Sequence, residues 1–309
     1  MHPNTSDPNP FRMKTIHKFT GLVLVVMLSS GLLTAQERES SPVSLQKITE
    51  SVYQVNGGQG SNGGAIIGED AVLLIDSKMN EESVNQTINA IKQLTDKPIR
   101  YLFNTHSDGD HIMGNRYFPA SMVFMAHKNC RDDFFKENFG RESDWGEAEF
   151  YPFTPSITFT KKMDLWLGKD KVEFYYFGAG HTTGDAFVYV PEEKVVFIGD
   201  MYFTGRPQLI HSIKNGNSFQ YVSTMTQMLE ALDAEIFLSG HSEPAGRGEI
   251  QKHIQLMVDK QIKVRDLVEQ GKTQEETLAA FGEDEARLVT SIYNEIQGQD
   301  PDQSSVNPY

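Results

Sequence analysis

Short apolar runs separated by glycines and polar turns predict that the first part of the chain is a β-meander. Residues 52–55 alternate apolar and polar positions, and the apolar runs 65–67 and 71–75 lie on either side of the polar turn 68–70. The glycine-rich stretch 57–64 lacks the Gly-Lys-Ser/Thr ending of a phosphate-binding loop, and a strand follows it where a helix would be needed. We therefore predict that this stretch is a loop of the meander.

Apolar residues at helical spacing then begin to alternate with strands. Val84, Ile88, Ile91 and Leu94 mark one face of a helix over residues 81–94, and an apolar strand over 99–103 follows. Further strands are predicted at 157–159, 164–167, 171–177, 187–190, 195–198 and 236–238, and further helices at 130–139, 219–232, 251–270, 273–280 and 283–296. This order indicates an α/β fold, in which functional sites gather where strands end.

One long connection has no clear periodicity. Residues 126–153 carry several aromatic side chains among acidic ones, including Trp145 and Phe150. A lid over a functional site and the plain packing of a long connection explain this pattern equally well.

The N-terminus has the order of a secretory signal. Arg12, Lys14 and Lys18 precede an uncharged apolar run over residues 19–33, and small residues follow before the charged Glu37. The run is shorter than the roughly 20 residues of a membrane span, although a retained anchor is the alternative. We predict a leader and signal peptide over residues 1–35, one domain over 36–298, a disordered tail over 299–309, and a periplasmic or secreted protein without stable membrane insertion after cleavage.

The charge balance excludes some partners. The formal net charge is −14, and loss of residues 1–35, which carry a net charge of +2, would leave −16. So negative a chain is not expected to bind nucleic acid or anionic lipid. Cys130 is the only cysteine, so no intramolecular disulfide can form.

Potential metal ligands follow four of the apolar strands. His106, Asp108, Asp110 and His111 fall within six residues after the strand 99–103. The other three each follow a later strand, next to or near glycine, and they are His181, Asp200 and His241. Because glycine allows sharp turns, ligands from distant parts of the chain can converge, and imidazole with carboxylate is a donor set for divalent metals.

These motifs, in this order, resemble the metallo-β-lactamase superfamily over about residues 46–245. The resemblance implies a four-layer αββα sandwich with a metal pair at one edge of its two sheets. It implies that His106, Asp108 and His181 hold one metal, that Asp110, His111 and His241 hold the other, and that Asp200 bridges them.

Asp108 departs from the family pattern. The superfamily motif is H-x-H-x-D-H, whereas this chain reads H-S-D-G-D-H, so a carboxylate stands where a second histidine is usual. A carboxylate makes the site harder, which favours iron or manganese without excluding zinc, the metal that we expect. The alternatives are a weakly filled first site with a mononuclear centre on Asp110, His111 and His241, a poorly metallated binding protein, and a di-iron redox protein.

The resemblance implies hydrolysis by a hydroxide shared between two divalent cations, which also polarise the substrate. Asp110 would orient the hydroxide or pass its proton to the leaving group, and Tyr202 is a candidate donor to a developing oxyanion, with simple packing as the alternative. The bridging Asp200 is the pattern of glyoxalase II and lactonases, whereas β-lactamases generally have cysteine or serine there. One group of β-lactamases then has a lysine three residues later, where this chain has Phe203.

The expected function is therefore an exported metallo-hydrolase that acts on an ester, lactone, thioester or amide of a small molecule. A β-lactamase is the alternative, and the oligomeric state stays open. Of the remaining histidines, we expect His127 to be structural or to line the cleft, His211 to lie in a loop within reach of substrate, and His253 to open a helix in solvent.

Overall fold

The computed structural model describes residues 41–137 and 141–298. The predicted signal peptide and the predicted tail lie outside these residues, and the boundaries of the predicted domain stay a prediction. Among the described helices, none combines the length and the apolar character that a membrane crossing requires.

Thirteen strands form two sheets within the described residues. The first sheet has the order β1 to β7, with bounds Ser44–Lys47, Val52–Asn56, Gly63–Ile67, Val72–Ile75, Ile99–Asn104, Val123–His127 and Ile157–Phe159. The second sheet has the spatial order β13-β12-β11-β10-β9-β8. In chain order its strands are Lys162–Leu167 (β8), Asp170–Tyr175 (β9), Phe187–Val190 (β10), Val195–Gly199 (β11), Ile236–Ser239 (β12) and Ala245–Gly246 (β13). Strands β4 to β7 pair in parallel, as do β11 and β12, so several strands end at the same edge.

Seven α-helices accompany the sheets in the described part of the chain. Their bounds are Glu81–Lys92 (α1), Gly109–Ile112 (α2), Lys128–Phe134 (α3), Ser218–Ala231 (α4), Arg247–Glu269 (α5), Gln274–Leu278 (α6) and Ala286–Gln297 (α7). Asn80 caps α1 by accepting a hydrogen bond from the Ser83 N–H at 2.9 Å, and Thr273 and Glu276 form the predicted capping box of α6.

Side-chain alternation along the strands separates three apolar layers. In β4, Val72 and Leu74 pack against α1, whereas Leu73 and Ile75 face the second sheet. A third apolar cluster lies between the second sheet and α4, α5 and α7, where Tyr221 is fully buried. The layers are therefore helix, sheet, sheet and helix, and the predicted αββα sandwich is confirmed.

The segment without periodicity differs from the prediction in two ways. Residues Val123–His127 form a parallel strand. The helix after it covers Lys128–Phe134, whereas the prediction was 130–139, of which residues 138 and 139 lie outside the described part of the chain. Trp145 is buried against Phe134, and the Arg116 guanidinium lies 4.6 Å from its ring centroid. This part of the connection packs on α3, as the second of the two interpretations expected.

Candidate metal centre

All seven predicted ligands lie at ends of strands that share one edge of the sandwich. The strand β5 ends at Asn104, and the turn that follows places Asp108 at the N-terminus of the short helix α2, which carries Asp110 and His111. The Asn104 amide and the Ser77 N–H both donate to the His111 carbonyl, at 3.1 and 2.9 Å, which fixes this turn on the neighbouring strand. Asp200 follows β11, and His241 follows β12.

The first cluster comprises His106, Asp108, His181 and Asp200, whose ligand atoms all lie within 4.8 Å of one another. The Asp108 Oδ2 atom is 3.0 Å from His181 Nε2 and 3.6 Å from His106 Nε2. The turn that carries His181 is closed by Asp185, which accepts hydrogen bonds from the backbone and hydroxyl of Thr182 at 2.8 and 2.7 Å.

The second cluster comprises Asp110, His111 and His241. The Asp110 Oδ2 atom is 2.9 Å from His241 Nε2 and 3.7 Å from His111 Nε2. Asp200 reaches this cluster too, because its Oδ1 is 3.2 Å from His111 Nε2 and its Oδ2 is 3.3 Å from His241 Nε2.

Each cluster is oriented by hydrogen bonds to the other ring nitrogen of its histidines. His111 Nδ1 lies 2.8 Å from Asp76 Oδ2, and His181 Nδ1 donates to the Leu209 carbonyl at 3.0 Å. Asp76 also accepts from the N–H and the hydroxyl of Thr105, both at 2.8 Å, and the Thr105 hydroxyl is 3.1 Å from His106 Nδ1. Such contacts select one tautomer, so that each Nε2 lone pair is directed into the cluster.

Asp76 is a residue whose role the sequence interpretation missed. Asp76 directly follows the predicted apolar run 71–75 and is not among the predicted site residues. Its φ of 58° is uncommon for a residue other than glycine and is consistent with a strained backbone at a functional site. A carboxylate at the end of a strand, as for Asp200, was the signal that could have identified it.

A buried lysine contacts the residue that departs from the family pattern. The Lys214 Nζ atom donates to Asp108 Oδ1 at 2.7 Å and to the Ser107 carbonyl at 2.8 Å. His211 is buried beside them, with its Nδ1 3.4 Å from Asp108 Oδ2. His211 was expected within reach of substrate, and the structure instead places it against Asp108 and His181.

Two glycines are required by the close approach of the loops. A Cβ atom on Gly240 would lie 2.4 Å from Asp200 Oδ1 and 2.6 Å from His111 Cε1. A Cβ atom on Gly216 would lie 2.1 Å from the His181 carbonyl oxygen. Larger residues at these positions would displace ligands of both clusters.

The electrostatics of the clusters reflect the excess of carboxylates. Burial lowers the pKa of His181, but the neighbouring Asp108 and Asp200 outweigh it and raise this pKa to about 9. Burial likewise opposes protonation of His241, whose pKa Asp200 and Asp110 raise to about 9. Without a bound cation, the carboxylates therefore attract protons to the imidazoles.

The pKa values of the carboxylates are lowered, whereas those of the histidines described above are raised. Burial raises the pKa of Asp108, but Lys214, His211 and His181 outweigh it and bring this pKa well below its usual range. The pKa of Asp200 is also well below its usual range, because His111 and His241 outweigh the effect of burial.

The donor set fits a pair of divalent cations. The Nε2 atoms of His106 and His111 are buried and make no hydrogen bond to any described residue. A buried imidazole nitrogen without a hydrogen bond is costly, and a metal ion would satisfy it. Imidazole and carboxylate together are typical ligands of zinc, iron and manganese.

The centre opens to solvent at His241. The His241 side chain is 29% exposed, whereas the other six cluster side chains are at most 8% exposed. The Phe203 ring stacks on His241 at a centroid distance of 5.6 Å, and the Arg206 guanidinium lies 4.0 Å from the Phe203 centroid. A substrate would therefore enter past His241, behind which the Phe203 ring is buried.

Tyr202 points to the other side of its strand end. Its ring is buried in the apolar cluster under α4 and α5, where it makes an edge contact with His253 at 5.0 Å. Burial and the charge of Glu249 raise its pKa. This placement favours the packing interpretation of Tyr202, and Phe203 is the residue that faces the clusters.

Two other histidines have structural surroundings. His253 lies inside α5 and not at its start, partly buried, with its Nε2 3.2 Å from Gln208 Oε1, so the expectation of a solvated histidine was wrong. His127 is buried, stacks on Tyr176 at 3.7 Å and accepts a hydrogen bond from the Asn129 N–H that caps α3.

A known protein family matches more than half of the chain. Residues 56–241 match the family described as the Metallo-beta-lactamase superfamily. This range includes the glycine-rich loop and all seven residues of the two clusters.

Individual relatives are distant. A metallo-beta-lactamase type 2 of Elizabethkingia meningoseptica is 26% identical over 223 residues, which cover 64% of this chain and 84% of that protein. A metallo-beta-lactamase type 2 of Bacteroides fragilis is 23% identical over 261 residues, 81% of this chain and 98% of that protein. The 2,4-dinitroanisole O-demethylase subunit alpha of Nocardioides sp. (strain JS1661) is 25% identical over 62% of this chain and 56% of that protein.

Solved structures share the fold. A metallo-beta-lactamase from Pontibacter korlensis superposes with a TM-score of 0.58 at 18% identity, over 70% of this chain and 98% of that one. The DIM-1 metallo-beta-lactamase superposes with a TM-score of 0.58 at 17% identity, over 72% of this chain and 99% of that one. At these identities the superpositions show the fold alone.

Proposed function

The chain belongs to the metallo-beta-lactamase superfamily, and from this premise we propose that it cleaves an ester, lactone, thioester or amide bond of a small molecule. It is a hydrolase of this superfamily with a metal-binding cluster of histidines and aspartates. We further propose that the seven residues of the two clusters bind two zinc ions and that the protein is exported.

The position of Asp200 is the observation that carries the proposal. Its Oδ1 atom is 3.2 Å from His111, and its Oδ2 atom is 3.3 Å from His241 and 3.8 Å from His181. One carboxylate thus reaches histidines of both clusters, as a ligand shared by two cations must.

Two cations held there would lower the pKa of a water molecule between them and polarise the substrate carbonyl oxygen. The residues of the chain supply the rest. Asp110 lies beside His241 at the opening, so its carboxylate can orient the attacking water and accept its proton. The buried side chains of the first cluster exclude other water from the reacting atoms.

The opening bears on the substrate. Phe203 stands where one group of β-lactamases has a lysine that holds the drug carboxylate, and its buried ring stacks on His241 beneath Arg206. Together with Asp200 between the clusters, the lack of that lysine supports an ester, lactone, thioester or amide substrate ahead of a β-lactam. A β-lactamase is the second candidate, because two of the relatives carry that name.

Export is proposed from the sequence alone. Basic residues, an apolar run and small residues precede Glu37 in the order of a cleaved signal. The N-terminal residue of the protein recovered from cells would test this, and an intact Met1 or Met13 on the mature protein would contradict it.

A substrate panel with metal analysis tests the function. The purified protein is loaded with zinc, its metal content is measured, and β-lactams, lactones, thioesters, carboxylic esters, phosphodiesters and an aryl methyl ether are offered. We expect turnover of an acyl substrate by the wild-type protein, and loss of that turnover in Asp110→Ala and His181→Ala without loss of the fold.

Asp70→Ala is the matched control. Asp70 is an exposed carboxylate in the turn before β4, far from the clusters in the fold, so its removal should leave rates unchanged. Unaltered rates in Asp110→Ala and His181→Ala would refute the assignment of the site. Turnover confined to β-lactams would favour the second candidate.

A further inference from the structure

Lys214 is held by the loop that packs on the turn of His181. Its backbone N–H donates to the His211 carbonyl at 3.0 Å, and its carbonyl accepts from the Thr183 N–H at 3.2 Å. Gly216, two residues later, lies so close to the His181 carbonyl oxygen that a side chain would not fit there. The backbone therefore carries the lysine to a defined place beside the first cluster.

The ammonium group is matched by three oxygen atoms. It donates to the Ser107 carbonyl at 2.8 Å, to the Ser107 hydroxyl at 3.3 Å and to Asp108 Oδ1 at 2.7 Å. An ammonium group has three N–H donors, so each has an acceptor. Lys214 is 8% exposed, and a charge buried to this extent requires such partners.

The two oxygens of Asp108 are consequently divided between two partners. Oδ1 is bound by Lys214, whereas Oδ2 lies 3.0 Å from His181 Nε2 and 3.6 Å from His106 Nε2. We propose that Lys214 is a positioning residue that holds Asp108 as a one-oxygen donor, so that the Asp108–Lys214 pair replaces the second histidine of the family motif. This inference rests on the proposed two-metal function.

Charge supports the replacement. A neutral imidazole contributes no charge and one donor atom to a metal site, and a carboxylate paired with an ammonium group likewise has no net charge and one free oxygen. Asp108 alone would make the first cluster harder and favour iron or manganese. With Lys214 attached, the cluster keeps the charge of the family pattern, and a preference for zinc follows.

An exchange of both residues tests the pairing. In Asp108→His the lysine is left buried without its carboxylate, so we expect zinc affinity at the first cluster to fall by about 10- to 100-fold, as for other changes around metal ligands. The double variant Asp108→His with Lys214→Met removes that cation and restores the family motif, and we expect it to bind two zinc ions again. Metal content by mass spectrometry and zinc titration against a chelating dye measure both effects.

The single variant Lys214→Met tests the division of the carboxylate. Without the ammonium group, both oxygens of Asp108 can bind one cation, which raises its coordination number. In cobalt-loaded protein with the second cluster removed by His241→Ala, we expect weaker visible absorption than with Lys214 present. We also expect the preference for zinc over manganese to fall by about tenfold, because an uncompensated carboxylate favours the harder ion.

Lys194→Met is the control, because Lys194 is a half-exposed lysine that pairs with the surface carboxylates of Asp233 and Glu235. If Lys214→Met does not fold, Lys214→Gln, which keeps one donor without the charge, takes its place in the zinc and manganese comparison. A cobalt spectrum and a metal preference that do not change on loss of Lys214, together with a double variant no better than Asp108→His, would overturn this proposal alone. A wild-type protein that binds fewer than two ions would overturn the proposed function as well.

Discussion

The two clusters that meet at Asp200 differ in their surroundings. The first cluster is closed, since His106 and His181 are at most 1% exposed and Asp108 is bound by the buried Lys214. The second cluster opens to solvent through His241, which is 29% exposed and stacks on Phe203.

This difference suggests separate tasks within one centre. The closed cluster has its charges balanced by residues of the protein and offers no path for a substrate. The open cluster places Asp110 and His241 where a substrate and water can reach them. Changes in the first cluster should therefore alter metal binding, and changes at the opening should alter substrate binding.

Removal of Asp200 should have the largest effect, because its two carboxylate oxygens lie next to histidines of both clusters. We expect Asp200→Ala to lower kcat/KM by at least about 10³-fold, since metal ions contribute several kcal/mol to catalysis and about 1.4 kcal/mol corresponds to tenfold. Steady-state rates and metal content measure this loss. If only one cluster lost its metal, Asp200 would not be shared.

Loss of Asp76 should affect metal binding less. Asp76→Asn replaces the carboxylate that orients His111 and Thr105, and changes of this kind weaken metal binding by about 10- to 100-fold. Zinc titration of Asp76→Asn checks this, with the exposed Asp70→Asn as control. An unchanged zinc affinity would show that the orientation of His111 does not depend on Asp76.

A change at the opening should leave the metals in place. We expect Phe203→Ala to raise KM by about tenfold with little change in kcat, because loss of an apolar contact of about 1.4 kcal/mol weakens ground state and transition state equally. Its zinc content should equal that of the wild type. A loss of zinc in this variant would mean that Phe203 supports His241 more than it contacts substrate.

The smallest effect concerns a partly buried histidine, His253, without a carboxylate partner. Burial, together with Lys260, lowers the pKa of His253 to about 4, whereas carboxylates raise the pKa of His181 and His241 to about 9. The unfolded chain binds this proton near pH 6.5, so His253 contributes stability above that pH and loses it as the pH falls toward 4.

Between pH 7 and pH 5 the metal-free wild-type protein should thus lose about 1–2 kcal/mol more stability than His253→Gln. Denaturant unfolding at the two pH values measures the difference, with Lys252→Gln, a change of an exposed neighbour, as control. An identical pH dependence in wild type and His253→Gln would show that the contact with Gln208 does not keep His253 neutral.

The positions of most strands along the chain, and of the histidines and aspartates that cluster, were accessible from the sequence because both follow local rules. The apolar runs marked most strands, and the histidines and aspartates that follow them marked the site. The strand Val123–His127 was missed because the aromatic and polar residues after it hid its end. The direction of the Tyr202 side chain could not be predicted either, because the turn after β11 decides whether residue 202 or residue 203 faces the clusters.

The sequence by itself determined the fold class, the family motif and the departure at Asp108, because periodicity and short motifs are encoded by neighbouring residues. Only the tertiary structure brought Lys214 to Asp108 and Asp76 to His111, across 106 and 35 positions of the chain. No local pattern specifies such contacts, because they depend on how loops from different strands pack at one edge. The tertiary structure therefore decides the net charge around Asp108, because it places Lys214 against that carboxylate.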